Sequence, residues 1–170
     1  PETFQVALYS ASSLASIPIQ PLCCKNAIQP KPMPIQSRIR HTVPADIQTV
    51  WNTVTSLTDY AWRSDVQQIE PLNAIQFREY SPSGISTLFT VTQSQPPNLW
   101  AFDMENDTFS GHWIGRFTAL DNGHTELNFT ESITLKKWLP RWLVQFYLRR
   151  QQRRYCRDLC RKLRQTPPDI

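Results

Sequence analysis

Apolar and polar positions change period twice along this chain. Ile35-Gln36-Ser37-Arg38-Ile39-Arg40-His41-Thr42-Val43 alternates and predicts a strand. Pro44-Ala45-Asp46 then opens a helix, since Pro is tolerated in a first turn and a carboxylate suits the positive helix end. Ile47, Val50, Trp51, Val54 and Leu57 follow at helical spacing. A second short helix or turn is expected over Thr58–Arg63. Period two then returns in Val66–Leu72, Ala74–Tyr80, Ile85–Gln93, Leu99–Asn106, Gly111–Leu120 and Thr125–Leu135. Turn residues separate them at Pro71-Leu72-Asn73, Ser81-Pro82-Ser83-Gly84, Gln95-Pro96-Pro97-Asn98 and Asp121-Asn122-Gly123. Short loops between consecutive strands imply an antiparallel meander.

A long helix closes the pattern, from about Pro140 to Arg164. Its C-terminal half is amphipathic: Val144, Leu148, Gln152, Tyr155, Cys156, Leu159 and Leu163 fall in one arc of roughly 120°. Arg149, Arg150, Arg153, Arg154, Arg157, Arg161 and Arg164 lie opposite, and Lys162 intrudes at the edge. The N-terminal half has almost no polar face, with Trp138, Leu139, Trp142, Leu143, Val144, Phe146, Tyr147 and Leu148. A sheet covers one side of such a helix, so Leu143, Phe146 and Tyr147 need a second cover.

In order, these elements form an α+β chain: a strand, two short helices, six antiparallel strands and a long helix. Val43-Pro44-Ala45-Asp46-Ile47-Gln48-Thr49-Val50-Trp51, Leu57-Thr58-Asp59-Tyr60-Ala61-Trp62-Arg63-Ser64-Asp65, Gly111-His112-Trp113-Ile114-Gly115, Thr125–Glu131 and Tyr155–Leu163 resemble stretches of the START-like superfamily of polyketide cyclase/dehydrase and lipid-transport proteins. The resemblance spans about Ile35 to Arg164. It implies the helix-grip fold, a curved antiparallel sheet of about seven strands around a long C-terminal helix, with a cavity between them. It also implies ligands such as lipids, sterols, quinones or polyketides, and in some members cyclisation or dehydration.

Alternation assigns the inward set. Trp100, Phe102 and Met104 oppose the acidic Asp103 and Glu105, so they turn inward. Phe129, Glu131 and Ile133 share a face, as do Phe89 with Val91, Phe77 with Glu79, and Trp113 with Phe117, Gly111 and Gly115. The resemblance places Trp138, Trp142, Phe146 and Tyr147 at the mouth, and the candidate ligand-binding set is Trp62, Phe77, Phe89, Trp100, Phe102, Met104, Trp113, Phe117, Phe129, Glu131, Trp142 and Phe146. Small residues beside Trp113 are expected to leave room. Glu79 and Glu131 are the candidate catalytic carboxylates. Each either orients a polar group of the ligand, acts as acid or base, or pairs with Arg78, Arg116 or Arg63. His112 is expected to point outward. No nucleophile, P-loop or dinucleotide motif occurs.

Composition sharpens this picture in two places. The 170 residues carry a net charge of +4, but residues 35–135 sum to −6 and residues 136–164 to +10. The outer arginines Arg149, Arg150, Arg153, Arg154 and Arg157 therefore form a candidate contact with an anionic membrane surface, or a solvated helix face. Four Cys and three His offer little for a metal centre. Cys156 and Cys160, four apart on the helix, lack the further ligands that a closed zinc site needs. No metal, cofactor or nucleic-acid partner is expected, and the oligomeric state is not set by the sequence. Residues 1–34 hold six of the 14 Pro, the vicinal Cys23-Cys24, and no basic segment leading into an apolar one. They are expected to form an extended tail or linker, 35–164 the ligand-binding domain, and 165–170 a C-terminal tail. The expected location is cytoplasmic, or peripheral to a membrane.

Overall fold

The computed structural model describes residues 33–165. The tail segments and Cys23-Cys24 lie outside the described residues, apart from Met33, Pro34 and Gln165. Within them the order is β1 (Ile35–Val43), α1 (Ile47–Thr55), β2 (Gln68–Pro71), β3 (Gln76–Tyr80), β4 (Ser86–Gln95), β5 (Leu99–Glu105), β6 (Phe109–Ala119), β7 (Thr125–Leu135) and α2 (Arg141–Gln165). All seven strands join one antiparallel sheet in the order β1-β7-β6-β5-β4-β3-β2. β2 to β7 run as a meander, and β1 pairs with β7 at the far edge. Pairing between β4 and β5 skips a residue between Val91 and Gln93, a bulge that bends the strand.

Asp46 caps α1. Its side chain accepts from the backbone N–H groups of Gln48 and Thr49 at 3.0 and 2.9 Å and from the Thr49 hydroxyl at 2.6 Å. These bonds hold the carboxyl below its usual range, the Thr49 side chain contributing most. Such a cap contributes about 1 kcal/mol. Val50, Trp51 and Val54 are the buried face of α1.

Of the short helix or turn expected over Thr58–Arg63, the turn forms, so one short helix and not two follows β1. Residues 58–63 form turns, because the Ser56 hydroxyl accepts from the Asp59 N–H at 2.9 Å and the Arg63 N–H bonds back to Tyr60. Local side-chain bonding of this kind competes with a helical ladder. At the β3–β4 turn, Gly84 takes φ +80°, which L side chains rarely adopt.

α2 lies against the sheet near β1 and β7. The main core joins Val50, Trp51 and Val54 of α1, Phe117, Leu127 and Phe129 of the sheet, and Cys156, Leu159 and Leu163 of α2. A second, smaller cluster joins Ile35 and Ile133 to Val144 and Leu148. The expected inner arc of α2 is therefore its buried face, with Asp158 added and Tyr155 only half-buried.

Candidate ligand cavity

Cross-strand register places residues in rows on the inner face. One row runs Ser37, Glu131, Trp113, Phe102 and Val91; the next runs Ile35, Ile133, Gly111, Met104 and Phe89. A cavity of about 690 Å³ opens between the second row and the N-terminal half of α2. Phe89, Met104, Glu131, Ile133 and Leu135 line it from the sheet; Leu139, Leu143, Val144, Phe146, Tyr147 and Leu148 line it from the helix side. The exposed Ser83, Phe146 and Arg150 mark where it meets solvent. The volume falls within the range of small-molecule pockets.

Glu131 is buried at the inner end of this space. It accepts a long hydrogen bond from the Gln152 amide nitrogen at 3.5 Å, while the Gln152 oxygen accepts from the Ser37 hydroxyl at 2.8 Å. Burial pushes the Glu131 carboxyl up to about 7, and the long Gln152 contact offsets little of this. A carboxyl so placed is present in both protonation states near neutral pH. Burial also pushes the Tyr147 phenol up to about 12.

Glu79 reaches the same cavity but is already engaged. Arg63 donates to both of its oxygens, at 2.5 and 3.0 Å, and to Asp65 at 3.2 and 3.4 Å. Burial lowers the affinity of Arg63 for its proton, but Glu79 and Asp65 outweigh that and hold it well above the usual value. Asp65 is desolvated too, yet Arg63 keeps it below its usual range. Arg63 also lies over the Tyr155 ring, 5.5 Å from its centroid. Glu79 is thus the partner of Arg63, one of the alternatives open in the sequence.

Of the expected ligand-binding set, Phe89, Met104, Glu131 and Phe146 line the cavity. Trp62, Phe77, Trp100, Phe102, Trp113, Phe117, Phe129 and Trp142 do not. Phe102 and Trp113 stack at 4.9 Å, Trp113 meets Phe129 at 4.9 Å, and Phe117 meets Phe129 at 5.8 Å. Phe77 stacks on Phe89, and Trp100 packs edge-on against Phe102. The room expected beside Trp113 is filled by its own indole: a Cβ on Gly115 would fall 2.2 Å from that ring. Trp62 packs on Tyr155, and its indole N–H bonds to the Asp59 carbonyl. Trp142 stands 71% exposed on the outer side of α2. Alternation gave the correct face but not the depth along each strand.

Arg154 also departs from expectation. It bends onto the 60–66 segment and donates to the Ser64 hydroxyl and carbonyl, both at 2.7 Å. Ser64 in turn gives its N–H and its hydroxyl to the buried Asp158 carboxylate. Arg154 is thus a tie to Ser64 and not one of the free outer arginines expected from the sequence, while Asp158, Ser64 and the helix-side wall of Leu139, Leu143 and Tyr147 lie outside the expected site residues. The all-round apolar half of α2 was the signal for that wall. His112 points outward as expected, with Nδ1 2.7 Å from Asp103. Cys160 Sγ lies 3.2 Å from His41 Nε2, and burial pushes the Cys156 thiol up to about 12, which disfavours a thiolate ligand. Among the described residues, no group of three or more His, Cys, Asp or Glu is arranged to hold a metal ion. No helix among them is long and apolar enough to cross a membrane.

A second hollow of about 660 Å³ lies by the row Arg78, Leu88 and Glu105 on the opposite face. Lys136 and Glu105 pair there at 2.7 Å.

The fold matches many solved structures. A START superfamily protein from Mycobacterium smegmatis superimposes with TM-score 0.72 at 14% identity, over 76% of this chain and 97% of that one. A conserved protein from Geobacillus kaustophilus gives 0.67 at 10% identity, over 75% and 94%. DynU16, a protein of the dynemicin biosynthetic locus, gives 0.64 at 17% identity; the match covers 79% of this chain and 49% of that one. None of the curated proteins matches the chain in sequence. The model of the family described as polyketide cyclase / dehydrase and lipid transport matches residues 34–166. By that match the chain belongs to this family, and its seven-stranded sheet with a long C-terminal helix is the START-like helix-grip fold.

Proposed function

We propose that the protein binds one small, mainly apolar molecule in the cavity between the sheet and α2, to carry or sequester it. The cavity's make-up carries this reading: mainly apolar walls, about 690 Å³ of space, and, beside the Glu79 and Asp65 carboxylates already paired with Arg63, one buried carboxyl with no cation partner among the described residues, Glu131. Apolar walls supply affinity by taking ligand surface out of water. Glu131 supplies orientation. In its neutral form it donates a hydrogen bond to a carbonyl or ether oxygen; ionised, it accepts from a hydroxyl. Lipids, sterols, quinones and polyketides meet this description. Native mass spectrometry of freshly purified protein, followed by titration with such ligands, tests the reading. A retained mass or saturable binding that Leu143→Trp abolishes supports it. An empty protein with no saturable binding to any of these classes overturns it.

A second reading takes Glu131 as a general acid or base for cyclisation or dehydration. The observation favouring it is the carboxyl pushed up to about 7 by burial at the cavity wall, which suits proton transfer near neutral pH. Under this reading Glu131→Gln retains ligand but loses turnover. Unchanged turnover in Glu131→Gln would remove it.

A further inference from the structure

The outer side of α2 carries a stripe that meets the cavity only at its rim, through Phe146 and Arg150. Trp138, just before the helix, is 88% exposed, Trp142 71% and Phe146 64%. Three, four and seven residues beyond Phe146, on the same side, come Arg149, Arg150 and Arg153, followed by Arg157. All four arginines are exposed, while Val144, Leu148, Gln152, Cys156, Leu159 and Leu163 are buried on the other side. Arg149, Arg150 and Arg153 form no ion pair among the described residues. One helix side therefore runs from large exposed aromatics into unneutralised positive charge.

Three large aromatics held in water at one end of a fold mark a contact surface. Tryptophan prefers the boundary between headgroups and acyl chains, and arginine is attracted to anionic headgroups. Charge sets the orientation. Residues 35–135, which hold all seven strands, sum to −6, and α2 stands between that body and the stripe. An anionic surface attracts the helix and repels the sheet. We propose that this side of α2 docks on an anionic lipid bilayer, with Trp138, Trp142 and Phe146 seated at the headgroup boundary. Phe146 and Arg150 belong both to the stripe and to the cavity rim, so docking turns the opening toward lipid. This docking goes beyond ligand binding and does not depend on the cavity's contents.

The test uses the full chain and sedimentation with phosphatidylcholine vesicles, with and without phosphatidylserine. Binding is expected only with phosphatidylserine, and salt should reverse it. The Arg149→Gln/Arg153→Gln double variant should bind about 30-fold more weakly, at about fivefold per arginine. Trp142→Ser should weaken binding about tenfold. These side chains are exposed, so circular dichroism and the melting temperature should stay at parental values. Equal binding to neutral vesicles, or parental affinity in the arginine variant, overturns the proposal. Binding to a polynucleotide but not to vesicles also overturns it. So does shielding from acrylamide without vesicles, read as unchanged quenching in Trp138→Phe/Trp142→Phe, because the stripe would then be covered by another segment or a second copy.

Discussion

Glu131 and Gln152 face each other across the sheet–helix boundary at 3.5 Å, too far for the amide to make good the hydration that the carboxylate loses. The carboxyl is accordingly raised from 4.5 to about 7, burial being the cause. Between those values the folded protein holds a proton that the unfolded chain has released. Stability therefore falls as pH rises through that window, by on the order of 3 kcal/mol in total. Tyr147, the titratable neighbour on α2, stays neutral throughout. Glu131→Gln should remove the slope and leave the variant more stable than the parent above the window. Urea midpoints on either side of it measure this, and parallel curves would show that Glu131 is solvated.

Arg63 is expected to be the most sensitive polar position. Replacing it with Met strands Glu79 and Asp65, both largely buried, at a cost on the order of 3–5 kcal/mol. Glu79→Gln should cost less, because Arg63 keeps Asp65. The Arg63→Met/Glu79→Gln double variant should recover part of the loss. Chemical denaturation of the three variants at neutral pH gives the ranking.

Asp158→Asn should loosen the segment around Ser64 from α2. The carboxylate takes the Ser64 N–H and hydroxyl and lies 3.2 Å from Arg161. Losing that charge should cost about 1–3 kcal/mol. Hydrogen exchange should rise at the Ser64 amide before it rises in the sheet.

Gly115→Ala should displace the Trp113 indole, since its new Cβ would lie 2.2 Å from the ring. The stack on Phe102 would open, with a loss of about 1–3 kcal/mol. Near-UV circular dichroism should change while the far-UV spectrum does not.

The strands and both helices of the described residues are legible because burial on one face writes a period into the chain. β1, β7 and α2 follow their patterns to within a residue. The choice between helix and turn at 58–63 is not legible, since Trp62 and its neighbours match a short helix and the deciding bonds come from Ser56. Face is legible but depth is not: Phe102 and Met104 alternate identically and both are buried, yet one stacks on Trp113 away from the cavity and the other lines its wall. Asp158 is hidden for a different reason. Among the eight arginines and one lysine of α2 it reads as a solvated charge, and only the distant Ser64 explains its burial. Glu131 was found because an acid amid Leu127, Phe129 and Ile133 contradicts its own strand pattern.

The two hydrophobic clusters differ in size, and that difference has a mechanical meaning. The C-terminal half of α2 is clamped by α1, three strands and the Asp158 bonds. The N-terminal half rests mainly on Ile35 and Ile133 through Val144 and Leu148. α2 is therefore a cantilever, fixed at one end and lightly supported at the other. If the protein binds a ligand as proposed, the load of admitting a bulky molecule would fall on that light support, and the root of the beam, held by the larger cluster, would move least.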